Sequence, residues 1–372
     1  MKKVIKWMMI CFMLFSLTGC WDQRQFKNIK LVLAAGFDQV DEDKIKSTVI
    51  IPTVEKGMEG PGDEYIQTVT TESNTLREGR TQIDQKISKI FDASKIRVVL
   101  LGEELAKKDI LPLLDVFYRD PKSNLNAMLA VVEGEAEEII NLRLEHEPRI
   151  SGYISGLLQG QVQLTQSPRE NIQLICAEMM EPGQDFGLPL ISLNEEEGLI
   201  NYKGIGLFHG QKYTGVYLDP KESLLLLLLD GEKGKMARLS AKVNSGEEPA
   251  VKNYVSFDIG DIKQKIEIKK KEQIEVSVKL KLKVGITEYP HDHITPPSLK
   301  ELEKKLSKIL TADAKDVVKK IQEANSDIFG IGRRLQAYHN KEWKQLNWEE
   351  DYPEISIKPD VKVNIEEHGI IN

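Results

Sequence analysis

Apolar and polar residues alternate strictly from Ile274 to Ile286. Ile274, Val276, Val278, Leu280, Leu282, Val284 and Ile286 share one face, because strand side chains repeat every two residues. Glu275, Ser277, Lys279, Lys281 and Lys283 share the other, so this strand belongs to an antiparallel sheet with one wet face. A different period follows. Leu299, Leu302, Leu306, Leu310, Ala314, Val317, Ile321 and Ala324 are spaced by three or four. They predict a helix from Pro297 to about Ala324, roughly 40 Å long, able to cross the sheet. Val361, Val363 and Ile365 predict a last strand. Upstream, His209-Gly210 separates two short strand patterns and predicts a hairpin. Asp219, Pro220 and Glu222 then signal a helix start, so Leu224 to Leu229 form a buried helix that Asp230-Gly231 ends.

The N-terminal half mixes both periods. Ile29 to Gly36 and Ile45 to Val54 read as a hairpin around the polar DQVDEDK turn. A loop begins at Gly57, and Tyr65 to Thr71 is a third strand. Leu76, Ile83, Ile87 and Ile90 fall on one helical face. Ile96 to Leu101 reads as a buried strand, Ile110 to Tyr118 as a helix, Ala127 to Val132 as a strand and Ala136 to Leu144 as a helix. Ser167, Pro168 and Glu170 form a capping-box start for a helix from Glu170 to Met180. A Pro- and Gly-containing stretch with three consecutive Glu, from Glu181 to Glu197, holds the domain boundary. The expected fold class is therefore α+β, multi-domain, with mixed sheets and helices. Its C-terminal antiparallel sheet is covered by the long helix. The expected divisions are residues 1–19, 20–195 (α/β, with room for two subdomains) and 196–372.

Lys2, Lys3 and Lys6 precede the unbroken apolar run Trp7 to Leu17. Such a segment is a secretory signal, and at about 16 Å as a helix it is too short to cross a ~30 Å hydrocarbon core. It ends in Leu17, Thr18, Gly19 and Cys20. This order resembles the bacterial lipobox: small residues admit the peptidase, and the thiol takes diacylglycerol as a thioether. Two acyl chains anchor stably, at ~0.8 kcal/mol per buried CH₂. The alternatives are an ordinary secreted chain or an uncleaved anchor. With Cys11 discarded and Cys20 lipidated, only Cys176 is left, and its helical, apolar setting reads as a small buried hydrophobe.

Composition adds bounds. Of 372 residues, 41% are hydrophobic and 29% charged, as in a folded globular protein. Loss of the three signal lysines carries the formal charge from −7 to −10, which argues against nucleic-acid binding. No later apolar run approaches a membrane span; the longest is Leu224 to Leu229. No Walker-A loop, HExxH, GxSxG or CxxC occurs, so no catalytic residue, metal ligand or cofactor is assigned. Gly204-Ile205-Gly206 lacks the third glycine of a dinucleotide loop and reads as hairpin strand. His291-Asp292-His293 lacks a third ligand nearby and reads as a loop, as does Glu145-His146-Glu147. Lys279, Lys281 and Lys283 form a basic ridge that could touch anionic headgroups; edge protection or solvation explains it more simply.

Four segments carry a family resemblance. Trp21-Asp22 follows Cys20, and the others begin at Gly102 (GEELAKKDILPLLDVFYRD…), Lys203 (KGIGLFHGQKYTGVYLD) and Asp327 (DIFGIGRRLQAYHNKEWKQLNWEEDYP). In this order, behind a lipobox, the chain resembles the Ger(x)C family, the C subunits of spore germinant receptors. Asp327, Gly330, Gly332, Trp343 and Trp348 match its pattern; Asp109 departs from it, where Gly is common. The resemblance implies a multi-domain α+β protein without an active site or cofactor, on the outer face of the spore inner membrane. It implies A and B membrane subunits as partners, the B subunit transporter-like, in a complex triggered by nutrients. Whether this subunit touches germinant itself stays open. Asp327, Gly330 and Gly332 follow the long helix and are either a helix-terminal turn or a partner-contact loop. A solute-binding lipoprotein of an uptake system is the alternative, although 6% aromatic content and the lack of a doubly wound repeat fit it poorly.

Overall fold

The structure is a computed structural model that describes Ile5, Trp7 and residues 28–54, 64–144, 149–270, 274–291 and 295–367. The first half contributes β1 (Ile29–Leu31), β2 (Ala34–Gln39), β3 (Ile45–Val54), β4 (Glu64–Ser73), α1 (Leu76–Lys86), β5 (Ile90–Asp92), β6 (Val98–Gly102), α2 (Leu111–Arg119), β7 (Met128–Glu133), α3 (Ala136–Asn141), α4 (Ile150–Gln163), α5 (Ile172–Met179) and β8 (Gly187–Asn194). The second half contributes β9 (Leu199–His209), β10 (Lys212–Leu218), α6 (Pro220–Asp230), β11 (Arg238–Lys242), β12 (Tyr254–Lys270), β13 (Ile274–Glu288), α7 (Pro296–Glu323), α8 (Ile331–Tyr338) and β14 (Ser356–Glu367).

An eight-stranded sheet runs in the order β10-β9-β8-β7-β6-β2-β3-β4, with a small parallel pair, β1 and β5, beside it. Its middle strands are parallel and its two ends are antiparallel hairpins. Helices cover both faces, which is why β6 is a continuous apolar run. Val98 and Leu100 pack toward α3 and α4 with Ile139, Ile154 and Leu158. Val99 and Leu101 pack toward α1, α2 and α5 with Ile83, Leu114 and Ile175. The hairpin β9–β10 comes from the second half of the chain, yet it completes this sheet, with Leu190 opposite Gly204. Its side chains serve two cores: Phe208 and Tyr213 join the first-half core, while Ile205 and Leu207 join the second-half core.

The second sheet runs β11-β12-β13-β14. The alternation along β13 is observed as expected: Val276, Val278, Leu280, Leu282, Val284 and Ile286 are buried beneath α6 and α7. The sheet is antiparallel through β13, but β14 lies parallel to β13, because α7 carries the chain back along the sheet before the last strand begins. The exposed edge of β14 is closed by a column on α7. Val361, Val363 and Ile365 donate their N–H groups to Thr311, Ser307 and Glu303 at 3.1, 3.0 and 2.8 Å. Four residues of helix rise about as far as two of strand, so one polar column serves the whole edge and blocks further pairing.

Helix α6 has the expected Asp219/Glu222 capping box and the left-handed Gly231 at its end. Other boundaries differ from the sequence reading. α1 stops at Lys86: Ile87 is its cap, and Ile90 enters β5 with its side chain exposed. α5 starts at Ile172, because the Asn171 side chain accepts from Leu174 N–H; the Ser167 hydroxyl instead bonds Pro168 O. Cys176 is half-buried rather than buried, beside Tyr118. α4 escaped the sequence reading because Gly152, Gly156 and Gly160 depress helix propensity. β12 escaped it because a register shift between Ile259 and Asp261 moves the inward positions from Val255, Phe257 and Ile259 to Ile262, Ile266 and Ile268.

Candidate functional site: a buried junction

A buried polar network lies where the two halves meet. After α7 the chain turns through Asn325, at φ 52°, into Ser326 and Asp327. Asp327 is 1% exposed. Its carboxylate accepts N–H groups from Ile331 (2.9 Å) and Gly332 (2.8 Å), which caps α8 from within. Burial pushes this carboxyl up to about 7 even though both N–H groups favour its charged form, and nearby Asp185 pushes it further. The first half answers through Asp185, whose carboxylate accepts from Asp327 N–H (2.7 Å) and Gly210 N–H (2.6 Å). The Asp185 N–H donates in turn to Asp327 O at 3.0 Å. His209, at the β9–β10 tip, has Nε2 2.7 Å from Glu349 and Nδ1 3.6 Å from Asp185. Asp185 and Glu349 raise the imidazole to about 9 against the opposing pull of burial.

Glycine allows the halves to close. A side chain at Gly332 would stand 2.6 Å from Gly183 Cα and 2.7 Å from the Trp348 ring, while Arg333 N–H donates to Gly183 O at 2.8 Å. Gly330 adopts φ 58° at the start of α8, a backbone conformation natural to glycine. Tyr352, 1% exposed, donates its hydroxyl to Ser326 O at 2.8 Å. Asp327, Gly330 and Gly332 lie together and face inward. A contact loop would expose them; here they seal the molecule's own joint.

A carboxylate cluster flanks the joint. Glu170 and Glu178 come from the first half, Asp230 and Glu232 from the end of α6. Burial, then Glu178 and Glu232, raise Glu170 to about 8. Burial, then Glu232 and Asp230, raise Glu178 to about 7, with Arg333 opposing. Burial and Glu232 raise Asp230 to about 6, opposed by Arg334 and Arg333. Glu232 is also raised by burial, opposed by Arg169. No group of His, Cys, Asp and Glu side chains suited to a metal ion occurs among the described residues. The arrangement joins the two halves of the chain.

Sequence reasoning missed Asp185, His209 as a charged group, and the carboxylate cluster. Asp185 and Asp327 are 142 positions apart, and no local pattern announces their meeting. The lysine ridge is largely paired: Lys279 reaches Glu267 (2.6 Å) and Lys283 reaches Glu366 (2.7 Å), while Lys281 stands in register between Lys263 and Lys362. His291 lies 2.9 Å from the Lys252 carbonyl oxygen, in a loop as expected. Leu17, Thr18, Gly19 and Cys20 lie outside the described residues, as do Glu145, His146, Glu147, Asp292 and His293. No helix among the described residues is long and apolar enough to cross a membrane.

An α+β chain with two large sheets, closed by a buried acidic joint, is the class of protein that this geometry defines. Comparison places it more narrowly. The spore germination protein N-terminal domain matches residues 22–193, and the spore germination B3/GerAC-like C-terminal domain matches residues 203–369. Spore germination protein GerQC of Bacillus cereus is 24% identical over 98% of this chain and 99% of its own length. Spore germination protein B3 of Bacillus subtilis strain 168 is 23% identical, with 100% of both chains covered. The crystal structure of the GerBC protein shares the fold, with a TM-score of 0.55 at 19% identity over 89% of this chain and 96% of that one. The chain belongs to the Ger(x)C family of spore germination proteins.

Proposed function

We propose that this protein is the C subunit of a nutrient germinant receptor, held on the outer face of the spore inner membrane by lipid on Cys20 and assembled with the A and B membrane subunits. The observation that carries the reading is the match of germination-protein domains to both halves of the chain, behind a lipobox-like Leu17-Thr18-Gly19-Cys20. Its role is assembly rather than catalysis, in keeping with the absence of nucleophile and metal motifs from the sequence. β1 begins nine residues after Cys20, so the tether reaches at most about 30 Å. Confining the folded body to so thin a layer raises its effective concentration for membrane partners, and modest protein contacts then suffice for assembly.

Replacement of Cys20 by Ala tests the tether. The chain is expected to leave the membrane fraction, to lose co-purification with two membrane subunits and to impair nutrient-triggered germination. Normal germination with the chain fully soluble would overturn the reading.

A further inference from the structure

A cleft of about 990 Å³ opens between the β2–β3 turn, the start of α1 and α2. It shares no residue with the junction. Its rim carries both signs of charge, Arg77, Arg80 and Arg119 among Asp43, Asp115 and Asp120. Arg80 donates to Asp120 at 2.8 Å and lies 4.9 Å from the centre of the Phe91 ring. An apolar cavity of about 50 Å³ adjoins the cleft, walled by Phe37, Val49, Ile83 and Phe117. Leu76, Arg80 and Val116 line both spaces, so the Arg80–Asp120 pair stands at the passage between them.

Three polar residues interrupt the apolar wall, Ser47, Arg80 and Ser123, and of these Ser47 is the most deeply buried. Ser47 is 2% exposed, and its hydroxyl has no hydrogen-bond partner. A buried hydroxyl left unpaired is costly, whereas one that awaits a ligand atom discriminates strongly between ligands. α1 approaches it closely through Gly79, where a side chain would come within 3.3 Å of the Ser47 oxygen.

We propose that this cleft binds a small zwitterion whose short side chain carries a hydroxyl next to a methyl group. The ligand carboxylate meets Arg77 and Arg80, in the forked geometry that guanidinium offers. The ammonium meets the acidic rim. The methyl group enters the cavity against Phe37 and Phe117, and the hydroxyl pairs with Ser47. A pocket of this kind, apolar with a few convergent polar groups, is the usual form of a small-molecule site. The proposal does not rest on the receptor reading and survives its failure.

The test titrates the full chain in detergent with free threonine, its isostere valine, and glycine. Binding is read by calorimetry and by saturation-transfer NMR. Threonine is expected to bind about fivefold more tightly than valine, the worth of one net hydrogen bond. Ser47→Ala removes only an unpaired group, so the fold is retained; it is expected to erase the threonine preference. Arg80→Gln is expected to weaken both ligands alike, and Arg77→Gln does the same from an exposed position should Arg80→Gln disturb the Asp120 turn. Absence of threonine binding, equal binding of threonine and valine, or a preference that survives Ser47→Ala would each overturn the proposal.

Discussion

The two sheets bury their strands in opposite ways. In the first, β6 is covered on both faces, and Val98, Val99, Leu100 and Leu101 are all 0% exposed. In the second, β13 is covered on one face only, and its outward side chains include three lysines, a serine, a threonine and a glutamate. The first sheet draws its stability from apolar contact on two sides, and along β6 every position is apolar or glycine. The second needs one apolar face and is free to carry charge on the other. Between them lies the joint, where neither rule holds and carboxylates are buried against one another.

The sharpest way to break the contrast is Leu100→Ala. A truncated leucine at the centre of a two-sided core is expected to cost about 2–5 kcal/mol in denaturant unfolding. Gly332→Ala probes the joint itself. Its new methyl group would meet Gly183 and Trp348, and overpacking of this kind costs about 1–3 kcal/mol. The change is expected to alter tryptophan fluorescence as well as the melting temperature.

A smaller effect comes from pH. Glu170 is raised to about 8 and Glu178 to about 7 in the folded chain. Raised carboxyl groups stabilise the fold fully below their ordinary range near pH 4, and that contribution is lost as pH climbs through the folded values. His209, raised to about 9, has the same sign: its contribution is full below about 6.5 and is lost toward 9. These groups are therefore expected to lower the melting temperature progressively from about pH 4 to 9, the two glutamates acting up to about 8 and His209 from about 6.5 to 9, and Glu170→Gln to flatten that decline. A decline unchanged in the variant would remove Glu170 from the account. The smallest effect is expected on the wet face. Lys281 stands between Lys263 and Lys362, so Lys281→Glu replaces like-charge neighbours with opposite ones. A gain of a few tenths of a kcal/mol is expected, since cross-strand charge pairs are worth roughly 0.2–1 kcal/mol.

The same contrast explains what could be read in advance. β13, α7 and α6 were legible because each is buried on one side or capped by its own neighbours, so periodicity and a capping box carry the information. α4 and β12 were not, because three glycines and a register shift erase their periods. Asp327, Gly330 and Gly332 stood out as a group, yet whether they faced inward or outward depended on Gly183, Asp185 and Trp348 arriving from distant positions.

Local order along the chain was enough to set most of the elements, the α+β class and the family, since period, caps and short motifs are properties of neighbouring residues. Folding alone decided that β9 and β10 complete the first sheet, that β14 runs parallel, and that Glu170, Glu178, Asp230 and Glu232 gather beside the joint. Those outcomes depend on burial and on charges far apart in the chain, and desolvation acts only once the intervening water has been expelled.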